Sequence, residues 1–189
     1  MTNNKPQVIA ISGVSGAGKT TAVKFLAKHF TCPYLLFDDH TDSHTYPQDM
    51  KRWLNHGANL DLIQTPKFVS ALQKLISTDN SSFIFIEEPF GRERDPMSLL
   101  VDYVVLLDQP LELCLSRIIK RHTANLTGDS SASLSSMVNF LDKYHDHFRE
   151  IYISSANKVR QNCDLIISGN RSTKETTSAI IDWLKTKAN

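Results

Sequence analysis

The shortages in this sequence are its first information. The chain holds only three cysteines, Cys32, Cys114 and Cys163, odd in number and far apart. That excludes the paired framework of a small secreted domain and the clustered ligands of a zinc module. Three small apolar side chains in a reducing compartment are expected instead. No apolar run approaches the roughly 20 residues that a membrane-spanning helix requires. Residues Met1–Gln7 are polar with one lysine, unlike an export signal. Neither sign of charge is in excess: 21 Lys and Arg face 20 Asp and Glu, a net charge of +1. Nucleic-acid binders carry a basic face or a high pI. The expectation is a cytoplasmic protein with no nucleic acid or membrane partner. Repeats, low-complexity tracts and interdomain linkers are also missing. The 189 residues suit one domain, 1–189, able to bury a core without staples.

What is present is an alternation. Short apolar runs at Val8–Ser12, Tyr34–Phe37, Phe83–Ile86, Tyr103–Leu107 and Leu165–Ile167 predict strands buried on both faces. Between them, helical periodicity runs over Gly18–His29, Lys67–Ser77, Leu111–Arg121, Ser135–Arg160 and Lys174–Lys185. Strand-helix alternation predicts an α/β fold of three layers, a five-stranded parallel sheet with helices on both faces. Two polar stretches break the pattern. Asp38–Asn59 is rich in His and Asp, and Thr123–Ser136 is small and polar. Loops of that length in a compact domain are usually functional or mobile.

The sharpest local signal is Gly13-Val14-Ser15-Gly16-Ala17-Gly18-Lys19-Thr20, which matches G-x-x-x-x-G-K-[ST] between a predicted strand and a predicted helix. Glycines let the backbone curl until successive N–H groups face inward as an anion nest. The helix behind adds its unsatisfied N–H groups and positive dipole end. Gly13 through Thr21 are therefore the expected nucleotide-binding residues. Lys19 reaches the outer phosphates, and the Thr20 hydroxyl is placed to hold magnesium. This predicts a P-loop NTPase fold with ATP and Mg²⁺ as its cofactors.

Three kinds of P-loop protein compete. A GTPase switch carries Asp-x-x-Gly and Asn-Lys-x-Asp; the first does not occur, and Asn157-Lys158-Val159-Arg160 ends in arginine. A mechanical ATPase needs a second helical domain, for which there is no room. A small-molecule kinase needs a short core, an acceptor site after the second strand and a mobile basic lid. An insert at about 38–66 and a lid at about 117–136 meet those needs.

Gly13–Thr20, Asp38-Asp39 after the second strand and Glu87-Glu88-Pro89-Phe90 after the third together resemble the uridine kinase and nicotinamide riboside kinase group. The stretch from Tyr46-Pro47 through Arg52-Trp53-Leu54-Asn55-His56-Gly57-Ala58 to Thr65-Pro66 is similar to the acceptor-side insert of uridine kinase-like proteins. His40 and Thr41 stand where those kinases have aromatic residues, and Glu-Pro-Phe where Glu-Gly is more usual. The resemblance implies an ATP-dependent kinase that phosphorylates a hydroxyl of a small, nucleoside-like metabolite. It assigns activation of the acceptor to Asp38, with Asp39 beside it. A strand's carboxyl end is where open α/β sheets present ligands, although Asp is also common as a plain turn cap.

The remaining candidates are read from position. Glu87 and Glu88 end the third strand and point to opposite sides, so one of them can serve magnesium. Arg117 and Arg121 share a helix face and stand just before the polar stretch, as lid arginines would. The bland alternative is a solvated helix end, where cations are favoured anyway. Arg52, Trp53, Phe90 and Arg92 are candidate acceptor contacts; Arg94 and Arg149 are further arginines in reach. Core packing is the more frequent fate of such aromatics, and a surface role that of such arginines. His40 and His44 with Asp38, Asp39 and Asp42 have helix-compatible spacing, but Tyr46-Pro47 and the polar surroundings read as loop, and no H-E-x-x-H or Cys partner supports a transition-metal site. The expected partner is a small-molecule acceptor, with a homodimer left open. The rival readings are a non-catalytic nucleotide-binding regulator and an ATPase that needs no acceptor.

Overall fold

A computed structural model describes residues 5–124 and 130–187; side chains of 130–133 lie outside that description. Five strands form one parallel sheet: β1 (Gln7–Ser12), β2 (Tyr34–Leu35), β3 (Phe83–Glu87), β4 (Tyr103–Asp108) and β5 (Leu165–Ser168). Their spatial order is β2-β3-β1-β4-β5. Register is set by pairs such as Ile11 with Glu87 and Ile11 with Val105. The predicted three-layer α/β fold is thus observed.

Alternation along the strands divides the core. Ile9, Ile11, Phe85, Val105 and Leu107 face α1 (Lys19–Phe30) and α8 (Thr173–Lys187), meeting Val23, Leu26, Ile180 and Leu184. Val8, Ala10, Ile84, Ile86, Val104 and Leu106 face the other way, onto Phe68 and Leu72 of α3 (Pro66–Thr78) and Val159 of α7 (Arg149–Asn162). Burying one such aliphatic side chain stabilises the fold by about 1.5–3 kcal/mol. β1 lies between β3 and β4; the chain crosses from β1 to β2 on one side, and from β3 it passes β1 to reach β4 on the other. The crevice at the carboxyl end of β1 is therefore the topological switch point, where ligands of open sheets bind.

Three expectations are adjusted. The second strand stops at Leu35, because Phe37 turns into the helical region (φ −58°, ψ −48°) and Asp38–His40 make one 3₁₀ turn. Local hydrogen bonds drive this turn: Thr41 Oγ1 donates to the Asp38 carbonyl at 3.0 Å, and the His40 ring contacts the Leu36 carbonyl at 3.0 Å. The insert is not wholly irregular either. It holds α2 (Met50–Asn55), capped by Asp49, which accepts the Arg52 N–H at 2.8 Å. Asp95–Ser98 forms a short α4.

After α5 (Leu111–Ala124), the helical pattern expected over 135–160 is two helices, α6 (Ser130–Lys143) and α7. A π-helical turn, Tyr144–Phe148, joins them. The expected lid spans 117–136; its stretch 125–129 lies outside the described residues. Among the described residues no helix is long and apolar enough to cross a membrane.

Candidate active site

The loop after β1 is wedged between the end of β4 and the start of α5. Gly13 has φ +133°, and a Cβ there would stand 2.7 Å from the Leu107 carbonyl. Gly16 has φ +82°, and a Cβ there would run into the Cys114 backbone. No other residue type combines that backbone with that proximity. Helix α1 then opens directly behind the loop, with its first-turn N–H groups lacking intrahelical acceptors.

Three side chains converge at the mouth of this cradle. Thr20 Oγ1 donates to Glu87 Oε2 at 2.7 Å. The Lys19 ammonium lies 3.6 Å from Glu87 Oε1 and donates to the Val14 carbonyl at 3.1 Å. Both Lys19 and Glu87 are buried. Burial holds the Lys19 pKa below its ordinary value, while Glu87 and then Asp38 pull it back up. A hydroxyl beside a carboxylate is an oxygen-donor pair of the kind magnesium takes. Thr20 and Glu87 therefore fit that ion.

Glu88, one residue on, points away. It is wholly buried against Arg94, whose guanidinium also donates to the Ile63 carbonyl and the Thr65 hydroxyl at 2.9 Å each. Burial pushes the Glu88 carboxyl above its ordinary pKa, with Arg94 opposing. Of the two carboxylates expected to serve the metal, Glu87 faces Thr20 and Lys19, and Glu88 is engaged by Arg94.

A cavity of about 580 Å³ opens from the cradle. Gly13, Val14, Ser15, Gly16, Gly18, Lys19, Thr20, Thr21 and Glu87 line it, together with Asp38, Trp53, Phe90, Arg117 and Arg121. Arg117 also donates to the Gly16 carbonyl at 3.2 Å, so α5 is tied to the loop. Most of the expected site residues are therefore brought together.

At this point the molecule can be set beside known proteins. No protein-family model matches the sequence, and no curated protein matches it. Solved structures do. Those similar to it include TT1252 from Thermus thermophilus, with TM-score 0.56 and 16% identity over 96% of this chain and 99% of that one. The APS kinase CysC of Mycobacterium tuberculosis, solved with AMPPNP and APS, gives TM-score 0.54 and 15% identity over 96% and 98%. Shikimate kinase of Acinetobacter baumannii, solved with shikimate, gives 0.51 and 17% over 96% and 94%.

The fold is that of the P-loop kinases. At such identities the likeness extends to architecture and not to substrate.

Five expected site residues lie apart from the cavity. Ala17 packs into the core and lines a neighbouring groove of about 500 Å³ with Thr21, Gln109, Arg117, Asn170, Arg171 and Thr176. Asp39 and Arg52 are exposed away from the cavity wall. Glu88 is engaged by Arg94, as above. Arg92 is the clearest correction: its guanidinium donates to the carbonyls of Val101, Asp102 and Asn162 and pairs with Asp164. Those groups precede β4 and β5 or end α7, on the amino edge of a parallel sheet, opposite the cradle. An arginine at a helix carboxyl end and two strand entrances is a structural brace.

Other residues were missed. Tyr46, Met50, Ile63, Phe148, Ile151, Tyr152 and Ser155 all line the cavity. Their apolar character reads as core in a sequence, and in part it is core: Phe37, Trp53, Ile63, Phe90 and Ile151 form one cluster. The available signal was the 140, 144, 148, 152 spacing of aromatics, one per helical turn. Burial raises the Tyr152 phenol pKa, with Ser15 of the loop opposing. Tyr46 is 41% exposed at the cavity mouth, and partial burial followed by Asp38 and Glu88 raises its phenol pKa.

Proposed function

We propose that this chain transfers the γ-phosphoryl group of magnesium-bound ATP to a hydroxyl of a small, nucleoside-like metabolite in the cytoplasm. The observation that supports this reading is that the Lys19–Glu87–Thr20 triangle and Asp38 line one cavity.

In this reading, the loop amides and Lys19 hold the phosphates, and Thr20 with Glu87 holds magnesium. That ion, when bound, draws charge from the phosphate oxygens. Asp38 orients the acceptor hydroxyl and takes its proton. The hydroxyl oxygen bonds to the γ-phosphorus as the bond to the bridging oxygen breaks, and ADP leaves. Arg117 and Arg121 screen the charge that develops, a task suited to the always-charged guanidinium. The groove beyond α1, with Thr21, Arg117 and Asn170, is the space on hand for the base and ribose. Little covalent chemistry is asked of the protein beyond this positioning.

Asp38→Asn tests the reading. Acceptor-dependent ADP release is expected to fall by about 10²- to 10⁴-fold, while Mg·ATP binding by calorimetry stays near the parent value. Unchanged turnover would remove Asp38 from the chemistry.

A further inference from the structure

Gln109 directly follows β4 at the carboxyl edge of the sheet and is 7% exposed. Among the described residues its Oε1 is buried and has no hydrogen-bond partner. A buried carbonyl oxygen left without a donor is destabilising. The turn around it closes without that amide. Asp108 pairs with Arg160 at 2.6 Å, the Asp108 carbonyl accepts the Gly169 N–H at 3.3 Å, and the Pro110 carbonyl accepts the N–H groups of Leu113 and Cys114 at 3.1 Å each. Gln109 is therefore held at a loss that its own surroundings do not recover.

Gln109 lines the groove of about 500 Å³ beside α1, together with Thr21, Arg117, Asn170 and Thr176. Gly18, Thr21 and Arg117 line the catalytic cavity as well, so a nucleotide whose phosphates lie in the cradle has its base within reach of this groove. Among the described residues no Asp or Glu lines it. Its two guanidiniums already donate to carbonyls, Arg117 to Gly16 and Arg171 to Ser168, at 3.2 Å each. Gln109 also lines a second groove of about 400 Å³, with Asn157 and the Asp108–Arg160 pair.

Purines differ in what they present at position 6. Adenine carries an amine donor there with ring-nitrogen acceptors on either side, a pattern that a carboxamide matches with both its ends. Guanine and hypoxanthine carry an acceptor oxygen there. Guanine's N1–H and 2-amine are best met by a side chain that only accepts, a carboxylate. Resting on the kinase reading above, we infer that Gln109 is the residue by which this chain distinguishes donor bases: its Oε1 takes the hydrogen bond of a 6-amino purine and is set against the oxygen of a 6-oxo purine. The base supplies the donor that the fold does not. Discrimination comes from the mismatch, because a 6-oxo purine leaves the buried oxygen unpaired and brings a second acceptor against it.

The test is calorimetry on the full chain with magnesium and four nucleoside diphosphates: ADP, GDP, IDP and purine riboside diphosphate, which lacks the 6-substituent. ADP is expected to bind at least about tenfold tighter than each of the others. Gln109→Leu removes the amide at similar volume. It is expected to weaken ADP about tenfold while changing the 6-unsubstituted analogue less than about twofold. A residue that merely supports the groove would weaken both alike. Equal losses, or a parent that binds ADP no tighter than IDP, would overturn the inference and leave the phosphate site standing. Should Gln109→Leu fail to fold, the four ligands on the parent decide alone. No binding of any diphosphate would take the kinase reading down as well. Asn157→Trp obstructs the second groove and is expected to leave all four affinities within about twofold of the parent's. A loss there would move the base out of the groove beside α1 and sink the assignment.

Discussion

Thr20 donates its hydroxyl hydrogen to Glu87 across 2.7 Å, joining the first turn of α1 to the last residue of β3. The two residues are 67 apart in the chain, and the pairing of β3 with β1 is what brings them together. Glu87→Gln keeps the shape and removes the charge. The magnesium-dependent part of ATP affinity is expected to fall by about 10- to 100-fold, read by titrating the ion at fixed nucleotide. An unaltered magnesium dependence would exclude Glu87 from the ion's shell.

Lys19 should carry a cost to the fold. Its folded pKa lies below 10.5, so between that lowered value and 10.5 the unfolded chain binds more protons than the folded one. Stability of the nucleotide-free protein therefore gains a contribution that grows as pH rises through that window. Lys19→Met is expected to melt higher than the parent at neutral pH, to lose this upward slope, and to lose Mg·ATP affinity by at least about tenfold. Parallel melting curves from pH 7 to 11 would contradict the expectation.

Gly16→Ala addresses the cradle itself. The added Cβ meets the Cys114 backbone, and φ +82° is strained for any L side chain. Strain of that kind costs about 1–3 kcal/mol before the steric overlap is counted. A fall in the urea midpoint together with loss of Mg·ATP binding is expected. A variant as stable as the parent would mean that the loop adopts another course.

Two arginines separate bracing from clamping. Arg92→Ala is expected to lower unfolding free energy by about 2 kcal/mol through its lost hydrogen bonds, with ligand affinities unchanged. Glu88→Ala, which leaves Arg94 buried and alone, is expected to cost about 3–5 kcal/mol. It should also loosen the insert, because Arg94 anchors the Ile63 carbonyl and the Thr65 hydroxyl. Urea denaturation of the two variants side by side gives the comparison; a smaller loss for Glu88→Ala than for Arg92→Ala would refute the ranking.

Much of this was legible in one dimension. Four-residue apolar runs mark strands covered on both faces, and the glycine pattern between Gly13 and Gly18 has one common physical use. Asp38 was expected at the end of the second strand; it lies in the 3₁₀ turn just beyond it and does line the cavity. The fate of the arginines was not legible. Arg92 and Arg94 are two residues apart in an irregular segment, yet one braces the far edge of the sheet and the other closes on Glu88. Residue type states what a guanidinium can bind and not which carbonyls the fold will bring to it.

The local sequence alone determined the strand–loop–helix of the phosphate cradle, since backbone freedom and a following helix are properties of neighbouring residues. Tertiary structure decided that Glu87 rather than Glu88 faces Thr20, because only β3 pairing with β1 orients the two sides of that strand. It also gathered Trp53, Phe90, Phe148 and Tyr152 around the cavity beside the cradle. Those walls come from segments around residues 46–63, 90 and 148–155, and long-range packing is the only force that gathers them.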